Sequence, residues 1–475
     1  MQRLLAVLIL LIGAAGPARA APCRVADPEA PRVLVLALDG VPLRSIEAAR
    51  AEGAFEGWPP PLPLVSSFPS VTNVAFTAIL HPFGVDQAGG YEVAHFNRDK
   101  NKVVGGSPFG YEERLYAWRD AFDVTSRTFG SKLATYTTPK RASRHGLDRA
   151  EQALYELPDK QLILAHVGAT DALIHLRGDK AILRFLIEVD ERLREVKRAH
   201  RARTGRELSV VLLSDHGNSS IKIRKAGGLR KSLERAGLAV TKHIDQPGTV
   251  VAPTFGIVGY GALFMHRSDA ATAGRAIVGN ATVDLAAWLD EPSRMVVLSD
   301  AGAATVRWVE DGRGGLRMSY RMETGDPLEQ AAALERLSRR GLLDAAGYAT
   351  ESAWFDETVA SEYPDAMRRL IHSLVGTWVE NYATVVFSLK PGYAWGWTSA
   401  HVSSKLSGGR LEGTHGGLDA ASTIGFFMAD DPARNPNGPV RADRALAGFA
   451  GYNDCLVVAD DDAPGDHDPA VSGPR

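Results

Sequence analysis

The chain has 475 residues, 45% of them hydrophobic, and a formal net charge of −2 at pH 7. This length predicts two or three domains, or one large α/β domain with an insertion. A charge so near zero excludes a nucleic-acid polymer or an anionic membrane surface as a partner held by bulk electrostatics.

The N-terminal residues are typical of a secretory signal. Arg3 precedes an apolar run from Leu4 to Ala15, and Ala18-Arg19-Ala20 matches a signal-peptidase site. The run is short for a bilayer span, so we expect residues 1–20 to be cleaved and the mature protein to be periplasmic or secreted. No other segment is long and apolar enough to predict a membrane span.

The two cysteines, Cys23 and Cys455, lie near opposite ends of the chain. In an oxidising compartment they could form a disulfide that ties the ends together, or they could remain unpaired small core residues. The Asp- and Pro-rich residues 459–475 are predicted to be disordered.

Three apolar runs predict buried strands that are followed by acidic and imidazole side chains. They are Arg32–Leu38, followed by Asp39-Gly40; Lys160–Val167, followed by Asp171 and His175; and Val210–Leu213, followed by Ser214-Asp215-His216-Gly217. Open α/β sheets place their chemistry at the carboxyl ends of the strands. Asp171 and His175 are four residues apart, so on a helical turn they share one face. A buried Asp-His pair needs partners, although a solvated turn explains Asp215-His216-Gly217 equally well.

Between the first two strands, residues Pro69–Leu80 predict an amphipathic helix that opens near Thr72. The first N–H groups of a helix and the positive end of its dipole favour an anion, and phosphate is the usual one. Thr72 could also be a simple capping residue, which is the commoner role of Thr at a helix start.

Residues 219–380 alternate less regularly and predict an inserted cap. The cap divides a catalytic α/β core into a first part, 30–218, and a second part, 381–458. In the second part, Tyr382–Leu389 predicts a strand that resumes the core and Ile424–Met428 predicts its last strand. Tyr393, Trp395 and Trp397 follow in a loop that could line a substrate cleft or pack onto the domain.

The glycine-flanked His415 completes a set of three carboxylates and three imidazoles at predicted strand ends and loops. Such a set divides into two sites of mixed nitrogen and oxygen ligands, which suit zinc better than magnesium or calcium. The six candidate metal ligands are Asp39, Asp171, His175, Asp215, His216 and His415.

This ordered set resembles the alkaline phosphatase superfamily, and within it the type I phosphodiesterase and nucleotide pyrophosphatase branch, including phosphonoacetate-hydrolase-like members. The resemblance implies an α/β fold of three layers, α/β/α, with a mostly parallel, doubly wound sheet and an inserted cap. It implies two divalent metal ions per chain, expected to be Zn²⁺. One would be held by Asp171, His175 and His415. The other would be held by Asp39, Asp215 and His216, with Thr72 beside it as nucleophile and further metal ligand.

The implied reaction is hydrolysis of phosphodiester or nucleotide pyrophosphate bonds in a small-molecule substrate, through a phospho-threonine intermediate at Thr72. Nucleotide pyrophosphatases usually carry an Asn three residues after the nucleophile. That position is Ala75 here, so the neighbouring Asn73 is the candidate for substrate binding. A competing alignment places Ser67 in the nucleophile position, but Thr72 and the apolar helix after it fit better.

A monoester phosphatase of the alkaline phosphatase type is the alternative on the same two-zinc site, and it needs additional cations because a terminal phosphate is a dianion. Lys140 and Arg141, after a predicted strand Leu133–Thr137, are candidates for substrate binding or a solvated surface pair. A hypothesis of a different class is a non-catalytic periplasmic protein that binds a metal or a solute. The sequence leaves the oligomeric state open.

Overall fold

Two β-sheets organise the part of the chain that this computed structural model describes, residues 31–92, 94–105, 116–125, 135–254, 256–312, 314–396 and 411–452. In chain order the strands are β1 (Arg32–Leu38), β2 (Leu62–Val65), β3 (His95–Asn97), β4 (Lys102–Val104), β5 (Leu162–Val167), β6 (Leu208–Leu213), β7 (Arg224–Lys225), β8 (Ala239–Thr241), β9 (Thr249–Val251), β10 (Tyr260–Leu263), β11 (Val283–Glu291), β12 (Arg294–Ser299), β13 (Gly302–Glu310), β14 (Leu316–Gly325), β15 (Ala349–Thr350), β16 (Val385–Leu389), β17 (Tyr393–Ala394), β18 (Ile424–Ala429) and β19 (Val440–Arg441).

The α-helices of the described residues pack around and between these sheets. They are α1 (Leu43–Ala51), α2 (Thr72–Leu80), α3 (Pro139–Glu156), α4 (Ala169–Arg177), α5 (Asp179–Thr204), α6 (Leu229–Arg235), α7 (Ala270–Val278), α8 (Ala331–Arg339), α9 (Glu351–Thr358), α10 (Ala366–Val375) and α11 (Ala420–Thr423). None of them is both long and apolar enough to cross a membrane.

The first sheet has the strand order β19-β2-β18-β6-β1-β5. Strand β1 runs parallel to both β5 and β6, whereas β18 runs antiparallel to its neighbours β6 and β2. Every residue of β1, β5 and β6 is buried, because helices cover both faces of the sheet and a continuous apolar run satisfies both. The predicted mostly parallel sheet is confirmed.

Alternate side chains of β1 enter two different cores, which makes the fold three-layered. Leu34, Leu36 and Leu38 pack in one core with residues of α1, α3 and α5, including Ile46, Leu147 and Phe185. Val33, Val35 and Ala37 pack on the opposite face with residues of α2 and the segment after it, including Phe76 and Trp118. Because successive side chains of a strand point to opposite faces, one apolar run serves both layers.

The second sheet is antiparallel, with the order β10-β16-β11-β12-β13-β14-β15. It contains the hairpin formed by β13 and β14, within the region 219–380 that the sequence predicts as a cap. It also contains β16, which pairs with β10 and β11. The prediction that Tyr382–Leu389 resumes the core sheet is therefore wrong, although a strand does form there. An apolar run specifies a buried strand but not its partner, and Ile424–Ala429 is the segment that rejoins the first sheet.

The segment around Lys140 also differs from the prediction. Thr135–Thr137 is helical, not extended, and α3 begins at Pro139, so Lys140 and Arg141 lie in the first turn of a helix. Pro at the start of a helix costs no hydrogen bond, since that N–H has no partner within the helix anyway. The predicted signal residues 1–20, Cys23, Cys455, Trp397 and the tail 459–475 lie outside the described residues.

Candidate active site

Three neighbouring strands of the first sheet bring most of the candidate ligands to one edge. Asp39 follows β1, Asp215 and His216 follow β6, and the turn after β5 leads into α4 with Asp171. Since β5, β1 and β6 are parallel neighbours, their carboxyl ends coincide in space. His415 arrives from the loop before α11, where Gly259 N–H donates to its carbonyl over 2.7 Å.

The first group of ligands surrounds the hydroxyl of Thr72. Thr72 Oγ1 lies 3.2 Å from Asp39 Oδ1 and 3.4 Å from His216 Nε2. His216 Nε2 lies 3.6 Å from Asp39 Oδ1 and 3.4 Å from Asp215 Oδ2. Asp39, Asp215 and His216 thus present ligand atoms within 4.8 Å of one another, as a metal ion requires.

The second group adjoins the first. Asp171 Oδ1 lies 3.1 Å from His175 Nε2 and 3.7 Å from His415 Nε2. The rings of His216 and His415 stack with their centroids 4.0 Å apart, so the two groups share a wall. The ligand atoms of Asp171, His415 and His216 all lie within 4.8 Å of one another, so this distance alone would group His216, and not His175, with Asp171 and His415. We assign His175 to this group because it is closer than His415 to the Asp171 carboxylate, and His216 already faces two carboxylates of the first group.

All three imidazoles are oriented by backbone carbonyls. The Nδ1 atoms of His175, His216 and His415 lie 2.7, 2.9 and 2.8 Å from the carbonyl oxygens of Gly413, Gly217 and Ser70. A carbonyl only accepts, so each Nδ1 carries the proton and each Nε2 is left with a lone pair aimed at the carboxylates. This is the tautomer that a metal-binding histidine needs.

The electrostatics of the site fit cations. Burial, together with Asp215 and Asp171, raises the pKa of Asp39 well above its ordinary value. Burial also raises the pKa of Asp215 to about 7 and lowers the pKa of His415 to about 3. Asp171 Oδ1 and Asp215 Oδ2 are buried without a hydrogen-bond partner among the described residues. Burial lowers the pKa of His216, whereas for His175 the charge of Asp171 outweighs burial and raises the pKa above its ordinary value. Two carboxylates with unsatisfied oxygens, crowded beside a third and three imidazoles, suit two divalent ions, which supply the missing charge and coordination.

Gly40 makes the closeness of these carboxylates possible. Its φ is +68°, and a Cβ at this position would lie 2.5 Å from Asp171 Oδ1. Its N–H donates to Asp215 Oδ1 over 3.1 Å. The Asp-Gly pair after β1 therefore reflects both a left-handed backbone and a close approach that excludes any side chain.

The two candidate nucleophiles, Thr72 and Ser67, differ in what their hydroxyl groups contact. Thr72 is the first residue of α2, and its hydroxyl faces Asp39 and His216. The hydroxyl of Ser67 instead donates to the carbonyl of Pro69 over 3.1 Å. The structure therefore brings Thr72 to the six candidate ligands, as the sequence interpretation preferred.

Two of the three candidate substrate-binding side chains, Asn73 and Lys140, have other partners. The Asn73 amide donates to Gly90 O and accepts from Trp118 Nε1, at 2.6 and 3.0 Å. Lys140 forms an ion pair with Glu188 over 2.6 Å, and Arg141 is exposed on the same helix. Adjacent residues of a helix point in different directions, so Asn73 does not share the direction of Thr72. Their role in substrate binding stays a prediction.

Sequence reasoning missed His166, which supports Asp39 from behind. His166 Nε2 lies 3.1 Å from Asp39 Oδ2, and its Nδ1 lies 3.0 Å from Thr125 Oγ1. Burial, followed by the charge of Arg119, lowers the pKa of His166 to about 3, so the ring is neutral. The available signal was an imidazole in the otherwise apolar strand Leu162–Val167, where a buried polar ring needs partners.

Part of the chain matches a known protein family. Residues 72–270 match the family model described as type I phosphodiesterase / nucleotide pyrophosphatase. A search of curated proteins finds no match.

Among solved structures, the chain is similar to murine ectonucleotide pyrophosphatase / phosphodiesterase 5, with 12% identity, a TM-score of 0.45, and coverage of 88% of this chain and 93% of that one. It is also similar to phosphonoacetate hydrolase from Sinorhizobium meliloti in complex with phosphonoformate, with 16% identity, a TM-score of 0.45, and coverage of 89% and 95%. The family model that matches residues 72–270 is the one that the sequence motifs predicted.

Proposed function

We propose that the protein hydrolyses phosphodiester or nucleotide pyrophosphate bonds by nucleophilic attack of Thr72, with two zinc ions held by the six candidate ligands. The observation that carries this proposal is the position of the Thr72 hydroxyl, 3.2 Å from Asp39 Oδ1 and 3.4 Å from His216 Nε2. A hydroxyl that only capped a helix would have no reason to face two buried metal-ligand candidates.

We assign the six candidate ligands to two ions according to the two groups of contacts described above. Asp39, Asp215 and His216 would hold the ion beside Thr72, and Asp171, His175 and His415 would hold the other. When bound, the ions supply positive charge that lowers the pKa of the nucleophile and neutralises the phosphoryl oxygens in the transition state.

Thr72 carries the covalent chemistry. Its Oγ1 attacks phosphorus while the bond from phosphorus to the leaving oxygen breaks, and the hydroxyl proton passes toward Asp39 Oδ1, its hydrogen-bond acceptor. The leaving alcohol or phosphate departs with a proton, and Thr72 becomes a phosphate ester. Water then attacks the same phosphorus and releases Thr72. Two in-line displacements give net retention at phosphorus.

A diester fits the surroundings of Thr72 better than a monoester. A phosphodiester carries one negative charge, whereas a terminal phosphate is a dianion that usually needs Arg or Lys contacts in addition to the metals. Of the cations that the sequence offers for such contacts, Lys140 pairs with Glu188 and Arg141 is exposed on the same helix. We therefore place diester hydrolysis ahead of monoester hydrolysis. Export through residues 1–20 is part of the same proposal.

The test compares bis(4-nitrophenyl) phosphate with 4-nitrophenyl phosphate, using the purified zinc-loaded chain. We expect the diester to have the higher kcat/KM, and a strong preference for the monoester would reverse our ordering. Thr72→Val should abolish turnover of both while the bound zinc, measured by elemental analysis, stays at two ions.

The matched control is Thr77→Val in the same helix. The Thr77 hydroxyl donates to the carbonyl of Asn73 over 2.7 Å and has no contact with the ligand groups. This variant should keep its turnover. If Thr72→Val and Thr77→Val turned over the diester equally well, Thr72 would not be the nucleophile.

A further inference from the structure

A cavity with about 290 Å³ of empty space lies between α10 and the segment that follows β2. Its lining includes Ser66, Arg369 and His372. Ser66 and Arg369 are buried, with 2% and 3% of their surface exposed. Neither Thr72 nor any of the six candidate metal ligands is among the described residues that line it. The cavity is therefore separate from the proposed active site.

Each of these three side chains has a buried polar atom without a hydrogen-bond partner in the described part of the chain. The atoms are Ser66 Oγ, Arg369 Nε and His372 Nε2. Arg369 and His372 are three residues apart in α10, so they share one face of the helix. Ser66 is next to Ser67, whose carbonyl accepts from Arg369 over 3.0 Å. Buried polar atoms are rarely left unpaired, so three on one cavity indicate a bound species.

All three atoms can donate a hydrogen bond. The Nε of an arginine only donates, and a serine hydroxyl donates as readily as it accepts. Burial, followed by the charge of Arg368, lowers the pKa of His372 to about 3, so its ring is neutral. His372 Nδ1 lies 2.6 Å from Thr377 Oγ1, and when that hydroxyl donates to Nδ1 the ring proton is on Nε2. Three donors suit an acceptor without hydrogens, which is an anion.

The charges around the cavity leave Arg369 without a counter-ion in contact. Three other arginines and three carboxylates pair with one another. They are Arg368, Arg441 and Arg444 with Glu351, Asp365 and Asp443. The guanidinium of Arg369 instead donates to three backbone carbonyls and to the Ser70 hydroxyl. Asp365 and Asp419 act on its charge without an ion-pair contact to it among the described residues. A buried charge in this position favours an anion beside it.

We propose that this cavity binds one monovalent inorganic anion, such as chloride, held by Arg369, Ser66 and His372. One guanidinium balances one negative charge, and three single donors are enough for an ion that makes few hydrogen bonds. A sulfate or phosphate dianion would keep an excess negative charge and would need more donors than these three. Since Arg369 also holds Ser67 O and Ser70 Oγ, the ion would stabilise the segment that leads into Thr72. The inference does not depend on the proposed hydrolysis.

The test measures the Tm of the purified chain at increasing NaCl, with sodium methanesulfonate keeping the ionic strength constant. An ion that binds only the folded state raises the Tm with the logarithmic dependence of a single site, and the fit gives a Kd for chloride. Ser66→Ala should raise this Kd at least about tenfold, because one hydrogen bond to an ion contributes roughly 10–100-fold. His372→Phe removes another donor, should raise the same Kd, and serves if Ser66→Ala fails to fold.

Ser143→Ala is the matched control. Ser143 is fully buried, its hydroxyl donates to Pro139 O over 2.9 Å, and it does not line the cavity. This variant should keep the chloride Kd of the wild type. A wild-type Tm that does not depend on chloride would overturn the inference. An unchanged Kd in a folded Ser66→Ala or His372→Phe protein would overturn it as well.

Crystals grown in NaBr locate the ion directly by its anomalous scattering. We expect a bromide within hydrogen-bond distance of Arg369 Nε and Ser66 Oγ, which remains there when an equal concentration of sulfate is added. A water molecule alone at this place would reject the anion site, and displacement of bromide by sulfate would reject the assignment to a monovalent ion.

Discussion

His166→Phe tests the support that His166 gives to Asp39 behind the proposed zinc site. In the wild-type chain, the neutral ring of His166 donates from Nε2 to Asp39 Oδ2 and accepts the Thr125 hydroxyl at Nδ1. The ring also packs among Phe76, Trp118 and Phe122, with centroids 4.9 to 5.3 Å away. Phenylalanine preserves this packing and removes the donor to Asp39, together with the acceptor of the Thr125 hydroxyl.

The expected loss of zinc affinity follows from the negative charge on Asp39, the acceptor of this hydrogen bond. A hydrogen bond to an ionised group contributes about 1.5–3 kcal/mol, which corresponds to about 10–100-fold in an equilibrium constant. We expect that loss in zinc affinity, since Asp39 Oδ1 is the oxygen that faces Thr72 and His216 while Oδ2 is held by His166. Partners of metal ligands typically contribute a factor of this size.

The assay is competition for zinc between the folded protein and a chelating dye, with diester turnover measured at limiting and at excess zinc. Zinc affinity should fall for one of two ions, and excess zinc should restore part of the turnover. His200→Phe is the control, because His200 is a fully buried imidazole of α5 whose nitrogens have no hydrogen-bond partner among the described residues. Unchanged zinc affinity in a folded His166→Phe protein would refute the supporting role of this ring.

Three further predictions test the fold around the site. Gly40→Ala should abolish diester turnover, because its Cβ would lie 2.5 Å from Asp171 Oδ1 at a φ of +68°; Gly53→Ala, at φ +90° with no atom within 4 Å, controls for backbone strain alone. Arg369→Met should lower the free energy of unfolding by about 3 kcal/mol or more, since the buried guanidinium donates to Pro364 O, Leu418 O, Ser67 O and Ser70 Oγ and each of these acceptors would lose this donor. Urea unfolding measures the change, and a change below 1 kcal/mol would contradict the prediction. Asp284→Asn should stabilise the protein at pH 8 but not at pH 4. Burial raises the pKa of Asp284 in the folded protein to about 6, above its ordinary value. The wild type therefore loses up to about 3 kcal/mol of stability as the pH rises from about 4 to 6. An equal effect of Asp284→Asn at both pH values would show that this carboxyl is not the group responsible.

The sequence predicted the core strands because their signal is local. A strand buried on both faces must be apolar at every position, and Arg32–Leu38, Leu162–Val167 and Leu208–Leu213 meet that requirement within single short segments. The polar residues directly after such strands were also predictable, since the carboxyl ends of parallel neighbours converge. Asp39, Asp215 and His216 follow from that rule.

Other predictions failed or were missed because they depend on which distant segments meet. Nothing local distinguishes Val385–Leu389, which pairs in the second sheet, from Ile424–Ala429, which pairs in the first. Asn73 is adjacent to Thr72 in the chain, yet its amide bonds to Gly90 and Trp118. His166 could be recognised as unusual in its strand, but its partner Asp39 is 127 residues away in the chain.

The sequence by itself determined which side chains this protein offers as candidate metal ligands and in which order, because an apolar strand followed by an acid or an imidazole is a pattern of a few residues. Only the tertiary structure decided which distances separate the candidate ligands, and that His166 pairs with Asp39. Those features are distances between segments far apart in the chain, and such distances are set by packing of the two sheets and their loops, which no short pattern encodes.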